Sequence, residues 1–413
     1  MRPLPEVQGE ILDAVEQLPV VELGLRECLG LVLSEPVVAS HDLPPFANSA
    51  VDGYALRVAD VADPPVTLPV VEEVAAGSVA QHSVAPGTAI KVMTGAPLPA
   101  GAEAVLRVED TRHDAGSVEI LVPVEAGAAI RPAGGDVPAG TSVLATGRRL
   151  TPADLGVLAS LGVAWPKVRR RPVVAICSTG DEIVPPETSD LGPGQIRDAN
   201  RFLLRGLLEE LGASVVDYGI IPDEAIAVNR TLGHAANNAD VVVSSGGVSM
   251  GDYDVVKEEL EKLGTVAFWK VAMQPAKPLG FGSLGSTPFF GLPGNPVSVV
   301  VAYEQFVRPA LLHMMGAALL YRPRIVGTLE HDVRTDPKKT VFLRMTAEQD
   351  DSGAWLARSS GGQSSNVLSA LSAANAFGVV PVGTSELVAG SQIDLELFRN
   401  PESRDRTSAM GGT

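Results

Sequence analysis

The sequence predicts a multidomain α/β protein with a central three-layer α/β/α domain, an inserted β-rich domain and a C-terminal β-barrel. Strand-like and helix-like segments alternate between residues 172 and 316, which is typical of a mostly parallel sheet covered by helices. Short β-prone runs separated by glycine and proline instead fill residues 41–140 and 324–398. The length of 413 residues allows two to four such domains.

The N-terminal α/β segment is expected to comprise residues 1–40 together with residues 141–170. Apolar residues recur at helical spacing over residues 7–18, which predicts a helix there. In the second piece, Thr151 followed by Pro152 predicts the start of another helix, because threonine caps helices and proline suits the first helical position.

The inserted β-rich domain is expected over residues 41–140. Its β-prone runs are residues 67–74, 88–93, 104–108 and 118–124. Two stretches of small and polar residues, 48–55 and 93–97, are predicted as turns when each is considered alone.

The central domain is expected over residues 171–318, and Gly212 is predicted to end its first helix in the left-handed conformation. The predicted strands are 173–177, 214–221, 240–245, 266–271, 280–284 and 289–292, and the predicted helices are 200–211, 224–238, 253–263 and 296–315. The C-terminal barrel is expected over residues 322–399, from runs at 324–329, 340–345, 355–357, 376–382 and 393–397. The polar residues 400–413 are expected to form a disordered tail.

Composition excludes several classes of function. A net charge of −17 and a pI near 4.8 argue against nucleic acid as a partner, because phosphate backbones require a basic face. Cys28 and Cys177 are the only cysteines, so neither a disulfide framework nor a cysteine-rich metal site is expected. No apolar run reaches membrane-spanning length and no signal region opens the chain, so we expect a cytoplasmic protein without membrane contact.

Two loops follow predicted parallel strands and are expected to emerge side by side at the carboxyl edge of the sheet. The first carries Ser178, Thr179, Gly180, Asp181 and Glu182, and the second carries Ser245, Gly246, Gly247, Ser249 and Asp254. Glycines and hydroxyls before a helix form a cradle for anions, and carboxylates act as acid or base or hold Mg²⁺. The alternative interpretation of these acidic residues is a solvated turn or helix capping.

Other oxyanion-binding candidates surround these loops. Pro293, Gly294, Asn295 and Ser298 lie where a strand meets a helix, so they either start that helix or bind an anion at its N-terminus. Lys270, Gln274 and Lys277 lie near a strand end, where the lysines would pair with an oxyanion or remain ordinary surface residues. Asp223 follows another strand and is a site residue or only a helix cap.

Three familiar motifs are disfavoured. The glycines at 246–247 are not followed by the lysine of a P-loop, and no helix follows G-x-G-x-x-G at 280–285. G-x-S-x-G at 247–251 lacks a later histidine in a ligand-like loop, so a serine hydrolase is not expected.

Six motifs in order resemble one family, the molybdopterin molybdenumtransferases, which comprise bacterial MoeA-type enzymes and the E domain of gephyrin. They are NSAVDGYA (48–55), MTGAPLP (93–99), STGDE (178–182), SSGGVSMGDYD (244–254), KPLGFG (277–282) and GLPGNPVS (291–298). The resemblance spans residues 7–398 and implies a MogA-like central domain. The implied reaction inserts molybdate into adenylylated molybdopterin and releases AMP with Mg²⁺.

The resemblance also implies a homodimer, whose cleft lies between the central domain of one subunit and the N-terminal region of the other. Asp52, Thr94 and Asp136 match motif positions that would reach the partner's cleft, and Ser364 and Ser365 would close the site. The catalytic set is then Asp52, Thr94, Asp136, Glu182, Asp223, Asp254, Lys270 and Lys277, with Glu182 and Asp254 positioning metal or water. Transient contacts with other molybdenum cofactor enzymes are also expected.

One segment departs from the family pattern. The common K-P-G-K-P reads Gln274-Pro275-Ala276-Lys277-Pro278, so a cation is lost unless Lys338, Lys339 or Arg344 replaces it. Two alternative functions remain: a non-catalytic carrier or scaffold for molybdopterin, and a transferase for tungstate. The carboxylates argue against a pure carrier, whereas nothing in the sequence separates molybdate from tungstate.

Overall fold

The computed structural model of the protein describes residues 1–247 and 255–400. It contains the predicted combination of a central α/β/α domain, a β-rich N-terminal region and a closed C-terminal barrel. The part of the expected tail after Asn400 and the residues Ser249 and Asp254 lie outside the described residues. Nowhere in the described chain is a helix long and apolar enough to cross a membrane.

The N-terminal segment joins two distant pieces of chain. The first helix, Leu4–Ala14, begins and ends earlier than predicted and packs on the central domain through Val7 and Ile11. The helix Pro152–Ser160 begins as predicted, since Thr151 and Asp154 form a reciprocal capping box. The strands of this segment are Val20–Glu22, Val32–Leu33, Val37–Val38, Ser142–Leu144 and Lys167–Arg169, and a short 3₁₀ turn spans Leu25–Glu27.

The inserted region contains a six-stranded sheet. Its order is Ala104–Arg107, Gly53–Leu56, Ala89–Val92, Val66–Val74, Ser117–Ile120 and Thr111–Asp114, and Asn48–Ser49 pairs separately with Ile130–Arg131. The prediction of a turn over residues 48–55 is therefore wrong in part. Gly53–Leu56 is a buried inner strand, because its partners are distant runs that a local pattern cannot reveal.

The central sheet has six strands, ordered Ser214–Ile221, Val173–Thr179, Val241–Ser245, Thr287–Leu292, Pro278–Leu284 and Gly264–Lys270. The first four strands pair in parallel, and Pro278–Leu284 is antiparallel to both of its neighbours, so five of the six strands run in one direction and the sheet is mostly parallel as predicted. Alternate residues of the strands face the two helical layers: Val174 and Ile176 face one, and Ala175 and Cys177 the other.

The helices of this domain match the predicted positions closely. They are Asn200–Leu211, Ala225–Asn238, Val255–Leu263, Pro296–Ala302 and Arg308–Met314. Gly212 has a φ of 94°, which confirms its predicted role in ending the first of them. The single helix predicted over 296–315 is interrupted by a π-helical segment, Tyr303–Val307. This segment ends two residues before Pro309, whose ring nitrogen cannot donate a regular helical hydrogen bond.

The C-terminal region closes into a five-stranded barrel. The strands follow one another as Arg324–Leu329, Trp355–Ser359, Thr340–Gln349, Ala376–Val380 and Gln392–Leu397, which returns to the first. A short helix, Leu368–Ala373, and a separate pairing of Val333–Arg334 with Glu386–Leu387 complete this region. Met273–Gln274 of the central domain adds to the barrel beside Thr340–Gln349, so the two domains share a sheet edge.

Candidate functional site

The carboxyl ends of the parallel strands meet at one edge, as the sequence pattern predicts. Ser178 lies opposite Ser245, and Ser245 lies opposite Leu292 in the hydrogen-bonded register. Thr179 lies opposite Ile221 on the outer side. The loops that follow these four strands therefore begin next to one another, where open α/β sheets bind ligands.

Ser178 and Thr179 are strand residues rather than the loop residues we predicted. The strand continues to Thr179, because both residues pair with Ser214–Ile221 and are buried. The Thr179 side-chain oxygen is buried without a hydrogen-bond partner among the described residues. Such a hydroxyl lacks the partner that buried polar groups usually have, so it is a candidate contact for a ligand.

Two residues that sequence reasoning missed hold the loops together. The buried Asp198 accepts a hydrogen bond of 3.1 Å from the Ser178 hydroxyl. The Asn200 amide nitrogen donates to the Ser245 hydroxyl at 2.9 Å and to the Gly294 carbonyl at 2.7 Å. Asp198 and Asn200, at the start of a helix, therefore link all three loops. In the sequence, Asp198 and Asn200 look like ordinary helix-start residues, and only their burial reveals this role.

The paired glycines form a tight left-handed turn. Gly246 has a φ of 90° and Gly247 a φ of 65°. A Cβ atom at Gly246 would lie 2.5 Å from the Thr179 carbonyl oxygen, and one at Gly247 would lie 2.9 Å from the Thr179 hydroxyl. Glycine is required at both positions, by conformation and by space. The Gly246 N–H already donates to Leu292 at 3.0 Å, so it is not one of the free donors of the predicted cradle.

The acidic loop lies at the exposed rim of the site. Glu182 is exposed, and its carboxylate folds back over Gly180, where any side chain would collide with it. The Asp181 carboxylate accepts a 3.0 Å hydrogen bond from the backbone N–H of Asp223, which brings two of the predicted loops together. No cluster of three or more possible metal ligands occurs among residues 1–247 and 255–400.

The helix after Leu292 begins at the edge and meets the C-terminal domain. Asn295 is the residue before the first helical turn, as predicted, although its side chain makes no capping hydrogen bond. The Ser365 carbonyl accepts the N–H of Val297 at 3.2 Å, so one of the predicted free donors is occupied. Pro293 and Ser298 are buried, whereas Gly294 is exposed. Ser364 and Ser365 are thus next to the helix start, where a role in closing the site was expected.

A buried cation positions this serine loop. The Arg344 guanidinium donates to the carbonyl groups of Gly362 at 2.7 Å and Ser364 at 3.3 Å. Burial lowers the pKa of Arg344. These two hydrogen bonds hold the loop that carries Ser364 and Ser365.

The segment 270–278 forms a hairpin-like turn that carries both predicted lysines. The Val271 N–H donates to the Lys277 carbonyl at 2.8 Å, and Lys270 lies opposite Pro278. The Lys270 and Lys277 side chains are exposed. Ala276 has a φ of 67°, a conformation that favours glycine, so this chain keeps the turn without the glycine of the family pattern.

The predicted site residues of the inserted region form a separate group. The Asp52 carboxylate accepts hydrogen bonds of 2.7 Å from both the backbone N–H and the hydroxyl of Thr94. These two donors lower the pKa of Asp52. Asp136 is exposed in a loop that is held by its backbone N–H to the Leu43 carbonyl. Among the described residues, the side chains of Asp52 and Thr94 form hydrogen bonds only within this pair.

Known proteins match this architecture along its whole length. The MoeA N-terminal region (domain I and II) matches residues 2–162, a probable molybdopterin binding domain matches residues 175–313, and the MoeA C-terminal region (domain IV) matches residues 326–398. Molybdopterin molybdenumtransferase 2 of Mycobacterium tuberculosis strain H37Rv is 39% identical over 405 residues, 96% of this chain and 99% of that protein. The chain belongs to the MoeA family of molybdopterin molybdenumtransferases.

Other members of the MoeA family agree with this assignment. The molybdopterin molybdenumtransferase of Haemophilus influenzae is 36% identical, covering 94% of this chain and 96% of that protein. The crystal structure of the molybdopterin biosynthesis MoeA protein from Pyrococcus horikoshii OT3 superimposes with a TM-score of 0.82 at 32% identity, covering 96% of this chain and all of the other. The family and the fold class predicted from the sequence are both confirmed, and the family is one of transferases.

Proposed function

We propose that this protein inserts molybdate into adenylylated molybdopterin and releases AMP. The observation that carries this proposal is the sheet-edge site itself. A glycine turn at 246–247, the buried Thr179 hydroxyl and a helix start at Asn295 lie at the same edge of the sheet as the lysine-bearing turn 270–278. A substrate with a pyrophosphate needs a glycine turn, hydroxyls or a helix start to hold its phosphates. A second substrate that is a small dianion needs positive charge at the same edge.

The pyrophosphate and the oxyanion would occupy different parts of the site. The glycine turn at 246–247 and the start of the 296–302 helix suit phosphate oxygens, because both the turn and the helix dipole favour negative charge. The exposed ammonium groups of Lys270 and Lys277 suit molybdate, which is a compact dianion. Exposure of these lysines allows the oxyanion to enter from solvent.

Release of AMP breaks a phosphoanhydride bond, so the site must orient an oxygen nucleophile and neutralise phosphate charge. Glu182 is the described carboxylate best placed to orient that oxygen, because it is exposed at the rim three residues after the strand end at Thr179. Asp223 is held near it through the Asp181 carboxylate. The nearby Ser178 is fixed by Asp198, which keeps the strand end rigid during the reaction.

Mg²⁺ is part of this proposal, and the exposed Glu182 carboxylate is a ligand of the type that it prefers. Magnesium in phosphate-transfer sites is held by one or two carboxylates together with substrate phosphates and water. Glu182 supplies one such carboxylate, and Asp254 is the second candidate. Bound there, Mg²⁺ would neutralise charge on the phosphate oxygens.

We also propose a homodimer in which Asp52, Thr94 and Asp136 complete the partner's cleft. In support, the Asp52 carboxylate is exposed and is ordered by its hydrogen bonds to Thr94. Among the described residues its side chain has no other hydrogen-bond partner, so a partner subunit could contact it. A cytoplasmic location belongs to the same proposal.

The test is AMP release from adenylylated molybdopterin by the purified protein with Mg²⁺, with and without molybdate. We expect molybdate-dependent release and a product that activates an apo-molybdoenzyme. Glu182→Gln should lower this rate about 100-fold, whereas Glu187→Gln, an exposed glutamate of the same loop, should not change it. Tight substrate binding without release under any oxyanion would instead favour the carrier.

A further inference from the structure

The turn at 270–278 lacks a charge at its tip, where it joins the barrel. Gln274 pairs with Val341 and Met273 pairs with Thr340 in a parallel register. The Thr340 N–H also donates to the Ala272 carbonyl at 2.9 Å. This backbone pairing fixes the residue before Thr340 directly beside the tip of the turn.

That residue is Lys339, and its ammonium lies 3.4 Å from the Gln274 side-chain oxygen. The side chain is 19% exposed, so the ammonium is held near the surface rather than freely extended into solvent. The same ammonium forms an ion pair with the Asp336 carboxylate at 2.8 Å. An ammonium group has three donors, and these two contacts leave one for a ligand.

The other two cations considered from the sequence do not occupy this place. The Arg344 guanidinium is buried and donates to the carbonyl groups of the 361–366 loop. Lys338 is exposed, and no ion pair or hydrogen bond of its side chain occurs within the described ranges. Lys339 is therefore the cation that contacts Gln274.

The space beside this contact is open enough for a ligand. A cavity of about 480 Å³ lies between the turn and the barrel, and it is bounded by Gln274, Pro275, Asp336 and Gln363 among others. Its two central-domain residues belong to the same turn as Lys277. The Lys339 ammonium contacts two residues of this lining, Gln274 and Asp336, so it lies at the border of the cavity.

We propose that Lys339 is an oxyanion-binding residue that supplies, from the barrel, the positive charge that Gln274 does not carry. The ligand class is a tetrahedral dianion of the molybdate type, so this inference rests on the proposed function of the same site. Asp336 opposes this binding, because its carboxylate neutralises part of the ammonium charge and repels the anion.

The test measures binding of sodium molybdate to the full-length protein by titration calorimetry, together with the KM for molybdate in AMP release. Lys339→Met should weaken binding about tenfold, the loss expected for one charge-assisted hydrogen bond. Gln274→Lys in the Lys339→Met background should restore affinity to within about threefold of the wild type, because it returns a cation to the same place. Lys338→Met is the matched control and should bind as the wild type does.

Asp336→Asn separates binding from a structural role. If Lys339 acts on the anion, removing the opposing carboxylate should strengthen molybdate binding about threefold. If Lys339 only anchors its turn through Asp336, Asp336→Asn should weaken binding as Lys339→Met does, and the inference is wrong. It is also wrong if Lys339→Met binds like the wild type or if Gln274→Lys fails to rescue.

Failure of the proposed function would look different. A protein that binds molybdate in a Lys339-dependent way but never releases AMP keeps the oxyanion site and loses the transferase proposal. A protein that releases AMP with a KM unaffected by Lys339→Met keeps the transferase proposal and loses this inference.

Discussion

The sheet-edge site and the Asp52–Thr94 pair place polar groups in opposite ways. At the sheet edge, Ser178, Asp198, Asn200 and Ser245 are all buried, and hydrogen bonds join them across three loops. In the inserted region, Asp52 is exposed and is held by one neighbouring residue. The first arrangement makes the site part of the core of its domain. The second places an ordered carboxylate on the surface, which suits a contact with another molecule.

This difference predicts that substitutions at the sheet edge change stability and function together, whereas substitutions at the Asp52 pair change function alone. The two groups can therefore be distinguished by measuring unfolding and turnover on the same variants.

The largest loss of stability is expected for Gly246→Ala. The new methyl group would lie 2.5 Å from the Thr179 carbonyl oxygen in a left-handed turn, so the backbone must shift. We expect the free energy of unfolding of the central domain to fall by about 3 kcal/mol. Chemical denaturation monitored by circular dichroism measures this change.

Gly294→Ala provides the control in the same site. A methyl group at Gly294 would meet no atom within 4 Å, so the change should stay below about 0.5 kcal/mol. Equal effects of the two substitutions would show that the close approach to Thr179 does not limit the turn.

A smaller loss is expected for Asn200→Ala. It removes the donor to the Gly294 carbonyl and the donor to the buried Ser245 hydroxyl, which costs about 2 kcal/mol. Turnover should fall as well, since two loops lose their link. Asn238→Ala, which removes one exposed hydrogen bond to the His234 carbonyl, should change the unfolding free energy by about 0.5 kcal/mol or less. If the two variants unfold alike, Asn200 does not link the loops.

The smallest effect on stability is expected for Asp52→Asn, although its turnover should fall about 100-fold. The pair is exposed, so thermal unfolding should match that of Asp63→Asn, an exposed control in the same region. Mixing Asp52→Asn with Glu182→Gln subunits should restore part of the activity, because one cleft of the mixed dimer then has both groups. No recovery on mixing would contradict the shared cleft.

The pH dependence sharpens the same point. Thr94 lowers the pKa of Asp52, so the carboxylate stays ionised below the ordinary aspartate pKa of about 4, and it is protonated only as pH falls through the lowered value. Thr94→Val should raise the Asp52 pKa and move the acidic loss of turnover to higher pH. A pH–rate profile of both proteins measures the shift.

The sequence indicated most of the sheet-edge site because its chemistry follows strand ends. Ser245, Gly246 and Gly247 lie next to Ser178 and Thr179 as the strand pattern predicts. The same reasoning missed Asp198 and Asn200, because a polar residue before a helix looks the same whether it is exposed or buried. It also missed the inner strand Gly53–Leu56, whose partners are about 35 to 55 residues away in the chain.

The sequence by itself determined the family, the alternation of strands and helices, and the motif residues, since each depends on local order along the chain. Only the tertiary structure decided which of these groups touch. It closed the barrel through the pairing of Thr340–Gln349 with Ala376–Val380, directed the Ser365 carbonyl to the N–H of Val297, and placed Lys339 against Gln274. These contacts join residues from 31 to 68 positions apart at their nearest pairs, and their geometry is fixed by the packing of whole domains rather than by any local pattern.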